Sequence, residues 1–303
     1  MAGIRRRSSS RGVVVATVLC AAVAIGPVSA VASSSCPPSK YRSVRTLIIA
    51  HAGGDYFGPP NTIEMMRAAK AAGADILDTD IRTTSDGIIV AAHDDTIRIT
   101  SGAVVSIAKT TYAQLQQIDL GDTWAGPAHD HPLAGHNVHV PSLEDVLRTF
   151  PRDRVGIELK ATGDEASLCT LLRTRKRTGS VFVSSGGDGP VTRFKALCPE
   201  AVTTVTDAME AQYLHAEATH APWCAPVGIG QPPLAFRDFH LTKDEVAWDH
   251  DHGLADYTWT ADTPAQLQAV AQLGVDAVYT DRPDIAKSVF AHIDPALVPK
   301  RMR

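Results

Sequence analysis

Residues 46–54 read TLIIAHAGG, and residues 61–102 read NTIEMMRAAKAAGADILDTDIRTTSDGIIVAAHDDTIRITSG. The apolar run 47–50 predicts a strand that ends at His51. Residues 62–72 have helical patterning, with Asn61 or Thr62 as N-cap, Glu64 in the first turn and Gly73 as stop. A second strand is predicted over 75–81 and a third extended run over 88–92, ending in His93-Asp94. Alternate residues of a strand share a face, so Asp78 and Asp80 point one way while Leu77, Thr79 and Ile81 point the other. Two carboxylates side by side among apolar neighbours repel each other, and burial sharpens that repulsion. A divalent cation with oxygen ligands is the simplest partner for them. Taken alone, a D-x-D pair fits a wet strand end better. The strand-end histidines on either side favour a site.

The flanks bound the class of protein. The chain begins MAGIRRRSSSRG, followed by an apolar run at 13–26, Pro27 and small residues. That order predicts a signal segment over 1–32, cleaved near Ala30 or Ala32, and a secreted product. The apolar run is short for a membrane span, which leaves an uncleaved anchor as the alternative. Removing 1–32 removes four arginines and no acid, so the formal charge goes from −4 to −8. With no basic patch interleaved with aromatics, nucleic acid is not an expected partner. Cys20 leaves with the signal segment, and Cys36, Cys169, Cys198 and Cys224 remain for disulfides in an oxidising compartment. Cys169 and Cys198 lie in consecutive helical stretches, which favours their pairing among the three possible.

Residues 33–45, polar and proline-containing, are expected to be an N-terminal tether; 46–292 form one domain, and 293–303 a tail. Residues 101–141 form an insertion with a short helix at 111–118 and a loop at 121–141. That loop, a candidate substrate lid, carries His129, His131, His136 and His139, whose spacing matches no recognised metal motif. Strands then alternate with helices. Strands are expected at 155–160, 181–184, 201–205, 224–229, 255–260 and 277–280. Helices are expected at 142–150, 165–177, 190–197, 208–217, 242–250 (with a Thr242/Glu245 capping box), 264–273 and 283–291. About eight such units in about 250 residues imply an α/β fold, the (β/α)8 TIM barrel, with a doubly wound open sheet as the alternative.

In a barrel, chemistry gathers at the carboxyl ends of the strands, where His51, Asp78, Asp80, His93, Glu158, Lys160 and Trp259 all fall. Asp78, Asp80 and Glu158 are candidate ligands for one Ca²⁺ or Mg²⁺, and sequence does not choose between the two. His51 and His93 are candidate base and acid, because imidazole titrates near neutrality. Lys160 offers a point charge to a phosphate. Glu158 and Lys160 are also compatible with a structural ion pair, and Trp259 with core packing.

The motifs resemble the glycerophosphodiester phosphodiesterase family. Its H-R-G-G, E-N-T, E-x-D and H-D pattern is matched by His51-Ala52-Gly53-Gly54, Pro60-Asn61-Thr62, Asp78-Thr79-Asp80 and His93-Asp94. Ile157-Glu158-Leu159-Lys160, Trp259-Thr260-Ala261-Asp262 and Thr280-Asp281-Arg282-Pro283 match later segments. The resemblance covers roughly residues 46–291. It implies a metal-dependent barrel that hydrolyses a small-molecule or lipid-derived phosphodiester to glycerol 3-phosphate and an alcohol; contact with a membrane surface is a separate expectation. It also implies His51 as base, His93 as acid, and Asp78, Asp80 and Glu158 as ligands. Three positions depart from the pattern: Ala52 replaces an arginine, Pro60 a glutamate and Asp78 a glutamate. Losing a guanidinium from a phosphate site costs about 1.5–3 kcal/mol of charged hydrogen bonding. A sphingomyelinase D-like lipid phosphodiesterase and a catalytically inactive phosphodiester-binding protein are the alternatives.

Overall fold

The computed structural model describes residues 36–126, 131–219, 221–294 and 296. The expected signal segment 1–32, His129 and the last seven residues lie outside the described residues. Eight parallel strands form the centre: β1 (Leu47–Ala50), β2 (Ile76–Thr83), β3 (Arg154–Leu159), β4 (Val181–Ser185), β5 (Val202–Thr203), β6 (Ile229–Gly230), β7 (Ala255–Thr258) and β8 (Ala277–Thr280). Their order is β5-β4-β3-β2-β1-β8-β7-β6. A single bridge from Thr204 to Ile229 joins the two ends, so the sheet is a nearly closed (β/α)8 barrel. The surrounding helices are α1 (Ile63–Ala72), α2 (Leu143–Thr149), α3 (Glu165–Thr174), α4 (Asp188–Leu197), α5 (Asp207–Thr219), α6 (Lys243–Asp251), α7 (Pro264–Leu273) and α8 (Pro283–His292). The expected capping box at Thr242 and Glu245 starts α6.

Strand alternation divides the core into two layers. Leu47, Ile49, Ile76, Phe182, Tyr257 and Tyr279 fill the barrel interior. Leu77, Ile81, Val155, Ile157, Val181 and Val183 pack outward beneath the helices. The strands expected at 201–205 and 224–229 are much shorter than that. Cys224 is bonded to Cys36 below the barrel, and only Ile229 and Gly230 reach the sheet.

The insertion is longer than the expected 101–141 and begins directly after β2. Ile89–Ala91 is no barrel member; it runs antiparallel against the far half of β2. A hairpin (Thr96–Arg98 with Val104–Ser106) and a short helix (Tyr112–Leu115) follow. Val90, Ile107, Leu115 and Val140 give this excursion a small core of its own. In its loop, the Asp119 carboxylate accepts from the Gly121, Asn137 and Val138 amides, and the His139 ring donates to Ile118 O.

Residues 36–43 are not the expected tether. A Cys36–Cys224 disulfide, a bond from Ser39 Oγ to Gly228 O, the Tyr41 ring under the barrel core and a bond from the Ser43 amide to Asp276 hold them to the barrel's amino-terminal end. The second disulfide is Cys169–Cys198, linking α3 to α4 as expected. Among the described residues, no helix is long and apolar enough to cross a membrane.

Candidate active site

The inward alternation that builds the interior continues past the strand ends. Residues 47 and 49 lead to His51, 76 leads to Asp78 and Asp80, 156 to Glu158 and Lys160, 257 to Trp259, and 279 to Asp281. One end of the barrel thereby becomes polar, and it is the carboxyl end. β2 and β3 pair so that Asp80 stands opposite Glu158 and Asp78 opposite Gly156. Glycine leaves the space this pairing uses. A Cβ there would lie 2.6 Å from Asp78 Oδ1 and 2.7 Å from the Phe182 ring, so any side chain would displace the carboxylate.

Asp80 is buried and held on several sides. Asn61 Nδ2 donates to its Oδ2 at 3.0 Å, while Asn61 Oδ1 accepts from the Asp80 amide at 2.9 Å and from Thr79 Oγ1 at 2.8 Å. Asn61 has φ 62°, the left-handed region that asparagine tolerates better than most residues. The Lys160 ammonium bridges Asp80 Oδ1 at 3.0 Å and Glu158 Oε1 at 2.7 Å. The ion pair that the sequence allowed is therefore formed. Burial lowers the pKa of Lys160, but Asp80 and Glu158 outweigh it and the net shift is upward.

Asp78 receives a long bond of 3.3 Å from the Ala52 amide. Burial first, then the Asp80 charge, push its pKa up to about 8, which is the signature of a carboxylate short of positive charge. His51 lies beside it, with Nδ1 2.7 Å from Asp281 Oδ1. Burial opposes the imidazolium. The Asp281 bond and the charges of Asp78, Asp281 and Asp80 more than offset this and raise His51 to about 9. With Nδ1–H donated to Asp281, Nε2 is the nitrogen left for proton transfer. Asp281 is fixed in turn, since Asp262 Oδ1 accepts from its amide at 2.7 Å and from Thr280 Oγ1 at 3.0 Å.

The donor set is all oxygen and rich in negative charge, which suits Ca²⁺ or Mg²⁺. The under-compensated Asp78 is the observation that fits a cation to these residues. Lys160 bridges two of the three carboxylates. Cys169, Cys198 and Glu200 lie close together, but the two sulfurs are bonded to each other, which rules that group out as a metal site.

The other expected residues stand further out. His93 follows the antiparallel strand, its ring largely exposed and 2.8 Å from Asp94 Oδ1. Its segment is fastened to the site by the Ala92 amide, which donates to Asp80 O, and by Arg82 Nε, which donates to His93 O. Trp259 follows β7 and is 42% exposed, so the core-packing reading is wrong. Its Nε1 donates to Gln231 O. Two residues outside the expected site set, Asn61 and Asp281, also belong to it, and the alternation 277, 279, 281 places the latter inside the mouth.

The glycerophosphoryl diester phosphodiesterase family matches residues 51–285. The chain is 26% identical over 259 residues to a glycerophosphodiester phosphodiesterase of Bacillus subtilis (strain 168), covering 81% of this chain and 86% of that one. Its fold is similar to the crystal structure of a glycerophosphodiester phosphodiesterase from Agrobacterium tumefaciens str. C58, with TM-score 0.65, 23% identity and coverage of 80% and 99%. It is also similar to an Oleispira antarctica phosphodiesterase in complex with the product sn-glycerol-3-phosphate, with TM-score 0.65, 21% identity and coverage of 82% and 97%. With the family matched over more than two thirds of its length, on an eight-stranded barrel whose mouth gathers His51, Asp78, Asp80 and Glu158, this chain belongs to the glycerophosphoryl diester phosphodiesterase family of phosphoric diester hydrolases.

Proposed function

We propose that the protein is a secreted, metal-dependent hydrolase that cleaves glycerophosphodiesters to glycerol 3-phosphate and an alcohol. The observation that carries this reading is the in-register pairing of Asp80 with Glu158, one inward step from Asp78 and beside the His51–Asp281 pair. Asp78, Asp80 and Glu158 would hold one divalent cation, Ca²⁺ or Mg²⁺. When bound, such a cation supplies positive charge against the non-bridging phosphate oxygens.

With a cation offsetting the neighbouring carboxylates, His51 would be neutral, and, steadied through Nδ1, it would take the proton of the attacking water on Nε2. His93, exposed at the rim, protonates the departing alkoxide. Lys160 presents its ammonium to the phosphate, and Trp259 offers a face to the substrate beside it. In this role Lys160 takes part of the work of the guanidinium that Ala52 lacks. The two disulfides support an oxidising compartment, and with it the signal segment at 1–32.

The test is release of glycerol 3-phosphate from glycerophosphocholine in Ca²⁺, Mg²⁺ or EDTA. Release is expected with a cation, and not in EDTA or from His51→Ala and His93→Ala. Absence of turnover under every condition, with the diester bound and intact, would make the chain a binding protein.

A further inference from the structure

Between β6 and α6 the chain rises from the barrel rim as a hairpin. Ala235–Phe236 pairs antiparallel with Phe239–His240, and Phe236 stands opposite Phe239. The base is anchored. The Leu241 amide donates to Leu234 O, the Leu234 amide donates to Trp259 O, and both leucines pack into the outer core. The tip is not anchored, and Phe236 is 53% exposed and Phe239 38%. Phe236 and Phe239 occupy opposed positions of the hairpin, and both keep a large part of their surface outside the barrel. Trp259, itself exposed, adjoins the base through a bridge to Pro233. These three rings share the rim that carries His51 and Asp281. Clustered exposed apolar side chains mark an interaction surface. Tryptophan favours the boundary between lipid and water, and phenylalanine is among the apolar residues that membrane-surface segments bury there.

We propose that the Phe236/Phe239 hairpin, with Trp259 beside it, docks on a zwitterionic lipid surface and brings the barrel mouth to the headgroups. Charge selects this occupant. The two tip residues are Arg237 and Asp238, one of each sign, and among the described residues neither forms an ion pair. The Arg237 guanidinium lies 5.2 Å over the Phe236 ring, positioned for a headgroup phosphate, and Asp238 suits a quaternary ammonium. The chain carries a net charge of −4, which opposes approach to an anionic surface. The inference goes beyond the hydrolytic reading and does not depend on it, because binding is measured without turnover.

The experiment is sedimentation of the purified protein with phosphatidylcholine vesicles, comparing wild type with Phe236→Ser/Phe239→Ser. The wild type is expected to partition onto the vesicles. The double variant should lose about tenfold or more in partition per ring. Near-UV circular dichroism and hydrolysis of water-soluble glycerophosphocholine should be unchanged in the variant. Equal partition of the two proteins would overturn the proposal. So would a wild type that ignores phosphatidylcholine, or binds only when phosphatidylglycerol is present. A wild-type dimer dissociated by the double substitution, with no vesicle binding, would show that a second copy covers the rings and would overturn it too. Loss of glycerophosphocholine hydrolysis in both proteins would count against the proposed function alone.

Discussion

Asp281→Asn tests how the site controls His51. The substitution keeps the shape of the side chain and removes a carboxylate 2.7 Å from His51 Nδ1. A hydrogen bond to a charged group is worth about 1.5–3 kcal/mol, and the His51 side chain is 40% exposed, so screening reduces this to about 1–2 kcal/mol. If the bond acts through orientation of Nε2 in the transition state, kcat falls roughly 5- to 30-fold while KM stays within about twofold. The titration shifts in a known direction. Burial lowers the His51 pKa, and the Asp281 bond and nearby carboxylates raise it to about 9. Removing Asp281 therefore moves it down. The sign for stability follows. A raised imidazole contributes stability fully below the unfolded value of about 6.5 and loses it as pH rises through the folded value. In cation-free protein, the difference in Tm between wild type and Asp281→Asn should be largest near pH 6 and close between pH 7 and 9. Steady-state hydrolysis and an NMR titration of the His51 ring give the two readouts. An unchanged kcat together with an unmoved His51 titration would refute the reasoning, because the 2.7 Å contact would then fix neither the charge nor the orientation of the ring.

Three further perturbations separate the parts of the structure. Lys160→Met leaves Asp80 and Glu158 facing each other without their shared ammonium and should cost about 3 kcal/mol in EDTA, with added Ca²⁺ recovering part of the lost Tm; a variant as stable as wild type in EDTA would show that the pair is not under strain. Gly156→Ala puts a Cβ against Asp78 and Phe182 and should cost about 1–3 kcal/mol in urea unfolding while lowering activity, and full activity would mean that Asp78 is free to move. Asp256→Asn acts at the opposite end of the barrel. Asp256 is fully buried against Asp249, and burial followed by the Asp249 charge raises its pKa well above the ordinary range. A raised carboxyl binds more protons folded than unfolded, so stability declines as pH rises past the unfolded value. Asparagine should lift Tm at pH 8 by about 2–4 °C and change little at pH 4, and a lower Tm at both values would contradict this.

The parts legible in sequence were those that alternation and local chemistry determine. Asp78 and Asp80 had to share a face whatever the strand paired with, and Glu158 and Lys160 likewise, so the residue types of the site followed from two short strands. The eight units followed from apolar runs separated by capping signals such as Thr242 and Glu245. What stayed hidden depends on distant neighbours. β5 and β6 are two residues long, and their length is set by closure through one bridge from Thr204 to Ile229 rather than by composition. The segment 36–43 reads as a tether because nothing near it announces that Cys224, 188 residues on, holds it down. The hairpin at 235–240 has two residues per strand, too few for a period, and nothing local marks its phenylalanines as exposed.

Asp281 is the instructive case, being 230 residues from His51 in the chain. It meets the histidine because β8 lies against β1, with Ala50 beside Thr280. Local sequence thus supplies three carboxylates and a lysine, a set short of positive charge. The last pairing of the barrel supplies a fourth carboxylate, and that one stabilises the charged form of a histidine. On this reasoning the site is built to draw in positive charge. Asp78 is held where its charge is least compensated, and the imidazole of His51 stays protonated until something else offsets the field of its neighbours.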